Sequence, residues 1–168
     1  MSTTPLTFAE GELLTSLRAI RPWRRGKQRA PHKPLLLLWM LARLQSKGAS
    51  SERLIAFSDL DRPIRDLLQE FCPTSKSQHP EYPFWRLQRD NIWEVRCEGT
   101  PRARKSNTDP LPSELRRTAA RGGFTTTVHE LLRGNPRLVV RAARLLLDEH
   151  FLDTDPEVVA KAVGLDLR

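Results

Sequence analysis

A chain of 168 residues, 39% of them hydrophobic, suffices for one domain that buries a core without disulfides or a structural metal. Its 28 Lys and Arg against 20 Asp and Glu leave a formal charge of +8, which directs attention to polyanionic partners, nucleic acid above all, and away from small neutral substrates. Cys72 and Cys97 make no disulfide framework, no signal-peptide pattern opens the chain and no apolar run approaches the roughly 18 residues of a membrane span, so one domain over residues 1–168 is expected, cytoplasmic and without a membrane partner.

In TFAEGELLTSLRAI (7–20), Thr7 and Glu10 stand at capping-box spacing and Leu13, Leu14 and Leu17 share a face, which predicts a first helix. The acid-free run RPWRRGKQRAPHK (21–33), broken by Gly26 and two prolines, predicts a loop. Pro34 suits the first position of a helix, and LLLLWMLARLQSKG (35–48) is apolar on nearly every side until Gly48, so this helix is expected to carry the core. RLIAF (53–57) predicts a short strand, and DRPIRDLLQEF (61–71) a helix capped by Asp61. PFWRLQ (83–88) and IWEVR (92–96) alternate around Arg89, Asp90 and Asn91, which predicts a hairpin. CEGTPRARKSNTDPLP (97–112) is expected to be a long polar loop, and Gly122 and Gly123 a turn. A short helical piece from Ser113 is expected, then a helix with Thr127 and Glu130 at capping-box spacing, another introduced by Asn135 and Pro136, and a last one from Asp155 and Pro156 to near Gly164. The fold class expected is mainly α with a small β-sheet or hairpin, an α+β arrangement whose order of elements over 34–96 is winged-helix-like.

The four histidines are scattered, and Cys72, His79 and Cys97 lie too far apart to seed a tetrahedral zinc site, so neither a catalytic constellation nor a metal or other cofactor is expected. Basic segments are more informative. RAPHKP places Arg29, His32 and Lys33 just before a helix whose first amides lack intrahelical partners, a place that can hold an anionic oxygen; the competing reading is a solvated loop. The loop with Arg102, Arg104, Lys105 and Ser106 is either a linker or an arm that contacts DNA. Arg137, Arg141 and Arg144 form the solvated face of a helix, and Trp23 either stacks on a base or fills space. Tyr82 and Pro83, at the entrance of a predicted hairpin and next to Arg86 and Arg89, are either packing residues or an apolar socket beside positive charge.

APHKPLLLLWMLARL (30–44), HPEYPFWRLQRDNIWEV (79–95), RGGFTTTVHELL (121–132) and VVRAARLLLDEHF (139–151) together resemble the sulfur-binding domain of prokaryotic phosphorothioation-dependent restriction endonucleases of the HNH type. The HPEYPFW run and its spacing from APHKP are the specific part of that resemblance. It implies a module that reads double-stranded DNA in which sulfur replaces one non-bridging phosphate oxygen. The setting it implies is a modification-dependent restriction system of bacterial defence, with a separate HNH nuclease domain in cis in full-length relatives. No HNH segment occurs here, so a binding module is expected and not an enzyme. The resemblance puts Tyr82 and Pro83 in an apolar pocket for the sulfur, with His32 and Lys33 holding the linkage from the other side. Arg86 stands where a small residue is expected to line the pocket, so its stem would do the lining and its charge would point to solvent or phosphate. Arg102, Arg104, Lys105 and Ser106 fall in a base-reading segment. The alternatives are a winged-helix-like protein that binds unmodified DNA and a minimal nuclease built on His79 and Glu81.

Overall fold

The computed structural model describes residues 6–20, 23–25, 28–72, 78–104 and 109–168, and at 23–25, 28–30 and 49 the backbone alone. Helix α1 (Phe8–Arg18) opens with the capping box read in the sequence: Thr7 Oγ1 accepts from Glu10 N and the Glu10 carboxylate accepts from Thr7 N, 3.2 Å each. The basic run that follows is not a loop throughout. Strands β1 (Trp23–Arg25) and β2 (Gln28–Ala30) pair antiparallel, Trp23 opposite Ala30. Three-residue strands dominated by basic and polar residues leave no alternating hydrophobic pattern to read. Helix α2 (His32–Lys47) begins two residues before Pro34, which still falls in the first turn, where a missing N–H costs no intrahelical bond. Its Leu35, Leu36, Leu37 and Leu38 are fully buried, and Gly48 ends it at φ 55°.

Strand β3 (Ile55–Ala56) runs directly into helix α3 (Phe57–Phe71), whose N-cap is Ala56 and not Asp61. Asp61 lies inside the helix, where its buried carboxylate accepts from Arg65 at 3.0 Å and from Arg116. The predicted hairpin over 83–96 is half wrong. Residues Glu81–Arg86 form helix α4, Leu87–Asp90 a 3₁₀ turn, and only β4 (Trp93–Arg96) is a strand. Pro80 and Pro83 both fall at or within the first turn of α4, the one part of a helix that tolerates proline, so the PFWRLQ alternation was a short coincidence of two periods.

The partner of β4 is β5 (Arg121–Phe124), a segment whose glycines had marked a turn. The sheet is antiparallel in the order β3-β5-β4, with Gly122 opposite both Ile55 and Val95. Glycine is required there by close approach: a Cβ on Gly123 would lie 1.9 Å from the Arg53 carbonyl oxygen, and one on Gly122 would lie 2.6 Å from the Phe84 ring. With 83–90 helical, the winged-helix order is not formed.

Helices α5 (Pro112–Arg117), α6 (Thr126–Arg133), α7 (Pro136–His150) and α8 (Pro156–Val163) complete the chain. Asn135 and Asp155 cap α7 and α8 as expected and Gly164 stops α8 at φ 87°, but α6 is capped by Thr125 and not Thr127. The class is therefore mainly α with a small sheet. One hydrophobic core joins α1, α2, α3, α7 and α8, and an edge-to-face series Phe57, Phe84, Trp93, Phe124, at centroid spacings of 5.1, 6.3 and 6.1 Å, fastens α4 to the sheet.

Candidate nucleic-acid interface

Helix α4 is short, so tertiary anchors hold it. Phe84 is fully buried against Phe57 and Trp93, and Trp93 Nε1 donates to the Phe84 carbonyl at 2.9 Å. Burying Phe84 fixes the rotation of α4: Pro83 is buried beside it, and Tyr82 is left partly exposed. The His79 ring stacks on Tyr82 with centroids 4.6 Å apart and planes at 20°. The Arg86 guanidinium lies 4.3 Å from the Tyr82 ring centroid, and Arg104 Nη1 donates to the Tyr82 hydroxyl at 2.7 Å. Tyr82 thus has few rotamers open to it.

The N-terminus of α2 packs against α4 and brings His32 and Lys33 to the same region. Burial, then the charges of His79 and Arg86, lower the pKa of His32 from 6.5 to about 4, so at neutral pH its ring carries no charge and one of its nitrogens is a donor. Lys33 Nζ pairs with Asp90 Oδ2 at 2.8 Å. His32, Lys33, Tyr82, Pro83 and Arg86 are therefore gathered around the junction of α2 and α4.

Arg86 does not point to solvent. Its Nε and Nη2 both donate to Asp109 Oδ2, at 2.8 and 2.6 Å, and that carboxylate is 3% exposed. Arg104 is likewise turned inward, 10% exposed, with Nη2 on Glu81 Oε2 at 2.9 Å. Its backbone N donates to the Asp109 carbonyl at 3.0 Å, and Ala103 bridges Pro110, so both flanks of this loop are tied down beside α4. Arg102 is exposed, its backbone N held by Glu114 at 2.9 Å. Lys105 and Ser106, and the side chains of Arg29 and Trp23, lie outside the described residues.

Asp90 was read in the sequence only as a turn residue, and Asp109 was not singled out. Their partners are 57 and 23 residues away in the chain, so no local spacing announces them. His79 and Glu81 do come together, Nδ1 to Oε2 at 3.2 Å, but the carboxylate is 2% exposed and shared with Arg104, as in a structural ion-pair network. Among the described residues no three His, Cys, Asp or Glu side chains converge as metal ligands, and no helix is long and apolar enough to cross a membrane.

The sequence model of the ScoMcrA-like DNA sulfur-binding domain family matches residues 10–168. Curated proteins gave no match. Among solved structures, the sulfur binding domain of ScoMcrA complexed with phosphorothioated DNA is similar with a TM-score of 0.78 at 24% identity, over 96% of this chain and 97% of that one. The sulfur binding domain of SprMcrA complexed with phosphorothioated DNA follows with a TM-score of 0.74 at 23% identity, over 93% of this chain and 94% of that one. The Type IV phosphorothioation-dependent restriction endonuclease ScoMcrA matches with a TM-score of 0.75 at 23% identity, over 98% of this chain but 28% of that one. At these identities the structural likeness establishes the fold.

Proposed function

The chain belongs to the ScoMcrA-like DNA sulfur-binding domain family, and from that premise we propose that it is a non-catalytic module that recognises double-stranded DNA carrying a phosphorothioate linkage. The sulfur sits against the Tyr82 ring and Pro83, with His32 and Lys33 holding the linkage from the N-terminus of α2. Arg86 lines the niche with its stem while Asp109 holds its charge. Arg29, Arg102, Lys105 and Ser106 border the duplex, while Arg104, turned inward onto Glu81 and the Tyr82 hydroxyl, braces the niche from behind. Two solved relatives of the same fold are complexed with phosphorothioated DNA, which supports the ligand class.

Selectivity is a difference of affinities. Sulfur is larger, softer and less strongly hydrated than oxygen, so it loses little when water is stripped away by an aromatic ring and a pyrrolidine. A phosphate oxygen in the same place loses its water bonds without replacement. One such unsatisfied polar group costs about 1–3 kcal/mol, or about 5- to 150-fold in binding. The carrying observation is the confinement of Tyr82 by His79, Arg86 and Arg104 next to a His32 that is uncharged at neutral pH. A neutral imidazole donates one N–H without adding a charge that would favour any phosphate alike.

Residues 1–168 act as one recognition domain, at work on DNA in a prokaryotic cytoplasm as the reader of a restriction system, with a nuclease domain in cis in full-length relatives. The test is a gel shift on two duplexes that differ in one sulfur atom. Tighter binding of the thiolated duplex is expected; equal binding would leave an ordinary DNA-binding protein and refute the proposal.

A further inference from the structure

Glu81 is the carboxylate on which the confinement of Tyr82 converges. Its side chain is 2% exposed. Oε2 accepts from Arg104 Nη2 at 2.9 Å and lies 3.2 Å from His79 Nδ1, while Oε1 is buried with no hydrogen-bond partner among the described residues. Arg104 passes the restraint to the Tyr82 hydroxyl and His79 passes it to the ring face. Glu81 therefore reaches Tyr82 from two directions without touching the surface that a ligand would meet. A carboxylate buried with one oxygen unsatisfied is costly, and a hydrophobic residue in its place would serve packing alone as well.

We propose that Glu81 is the positioning residue for sulfur discrimination: through Arg104 and His79 it holds the Tyr82 ring in one orientation, so that an oxygen-bearing linkage cannot keep its water by turning the ring aside. The inference rests on the function proposed above. Rigidity is what converts an apolar surface into a selective one, because a wall that yields lets either atom be accommodated. Affinity for DNA as such comes from the cations, and removing a negative charge among them does not lower it.

Glu81→Gln keeps the shape and removes the charge. Dissociation constants for the unaltered chain and E81Q are measured on the matched thiolated and unmodified duplexes, with thermal unfolding as the check on folding. The expected result is a ratio of the two constants narrowed by about fivefold or more in E81Q, with unmodified DNA bound as well as before or better. A ratio unchanged from the parent, or an equal loss on both duplexes, overturns the inference by reducing Glu81 to a role in the fold. Tyr82→Phe keeps the ring and cuts only the Arg104 link; should E81Q not fold, the same narrowing is expected there, and an unchanged ratio overturns the inference. If the unaltered chain itself binds both duplexes equally, the function proposed above fails, and this inference with it; loss of the inference alone requires a parent that discriminates.

Discussion

Lys33 offers a test whose size follows from the geometry. Its ammonium is 2.8 Å from Asp90, with the two side chains 19% and 18% exposed, so the cation is already oriented before DNA arrives. If it then reaches a phosphate, Lys33→Met deletes one cation–phosphate contact, and the slope of log affinity against log salt becomes shallower by about 0.9. Between about 0.1 M and about 0.3 M salt that contact loses about 2.7-fold, so the gap between parent and K33M closes by the same factor. K33M also strands Asp90, and the double variant Lys33→Met/Asp90→Asn removes that complication while keeping the slope change. Asp90→Asn alone frees Lys33 from a partly solvated pair worth about 0.5–1 kcal/mol, so binding of modified and unmodified DNA should rise together by about 2- to 5-fold. Fluorescence anisotropy over a salt series, on both duplexes, reads all three. Parallel salt lines for parent and K33M would remove Lys33 from the phosphate backbone.

His32 makes stability depend on acid. In the unfolded chain it takes up a proton near pH 6.5, but in the folded chain only near about pH 4. Between those values the unfolded state binds more protons, so stability is whole above pH 6.5 and falls as pH drops toward 4, by up to about 3 kcal/mol. Urea midpoints at pH 7 and pH 4.5 should therefore converge for His32→Gln relative to the parent; an equal acid loss in both would show that the ring is not buried neutral. Gly123→Ala puts a methyl group 1.9 Å from a backbone carbonyl that has nowhere to move without parting β3 from β5, so a loss of about 3 kcal/mol or more is expected. Gly134→Ala, with nothing nearer than 3.9 Å, should change stability by less than about 0.5 kcal/mol. Equal stability of the two variants would refute the register of the sheet.

The helices were legible where two signals agreed. Thr7 with Glu10, Asn135 with Pro136, and Asp155 with Pro156 and Gly164 each mark an end next to an apolar face of helical period, and α1, α7 and α8 form where those marks stand. The failures share a cause. PFWRLQ is too short for its period to decide between helix and strand, and the decision came from tertiary packing, Phe84 inserting between Phe57 of α3 and Trp93 of β4. RGGF looks like a turn because glycine usually supplies positive φ, whereas here it supplies room beside Arg53 and Phe84. At the site, the adjacency of Tyr82 and Pro83 and the placing of His32 and Lys33 at a helix start were visible in the sequence. The internal pairing of Arg86 and Arg104 was not. A basic residue in a polar loop looks the same whether its charge faces DNA or a carboxylate 23 residues away.

That pairing changes what the net charge means. The +8 is spread over the chain, but around Tyr82 the cations are matched in place: Lys33 by Asp90, Arg86 by Asp109, Arg104 by Glu81. A niche crowded with unpaired cations would draw in any phosphate, and its Coulomb term would swamp a discrimination of a few kcal/mol between sulfur and oxygen. Matched charges weaken that term locally while keeping the donors oriented. On the function proposed above, general attraction to the polyanion would fall to cations outside the niche, such as the exposed Arg89 and Arg102, which would sense the backbone whatever atom it carries. Separating the two tasks in space would let a small apolar contact decide the outcome, and it would account for buried carboxylates placed beside Tyr82 in a strongly basic chain.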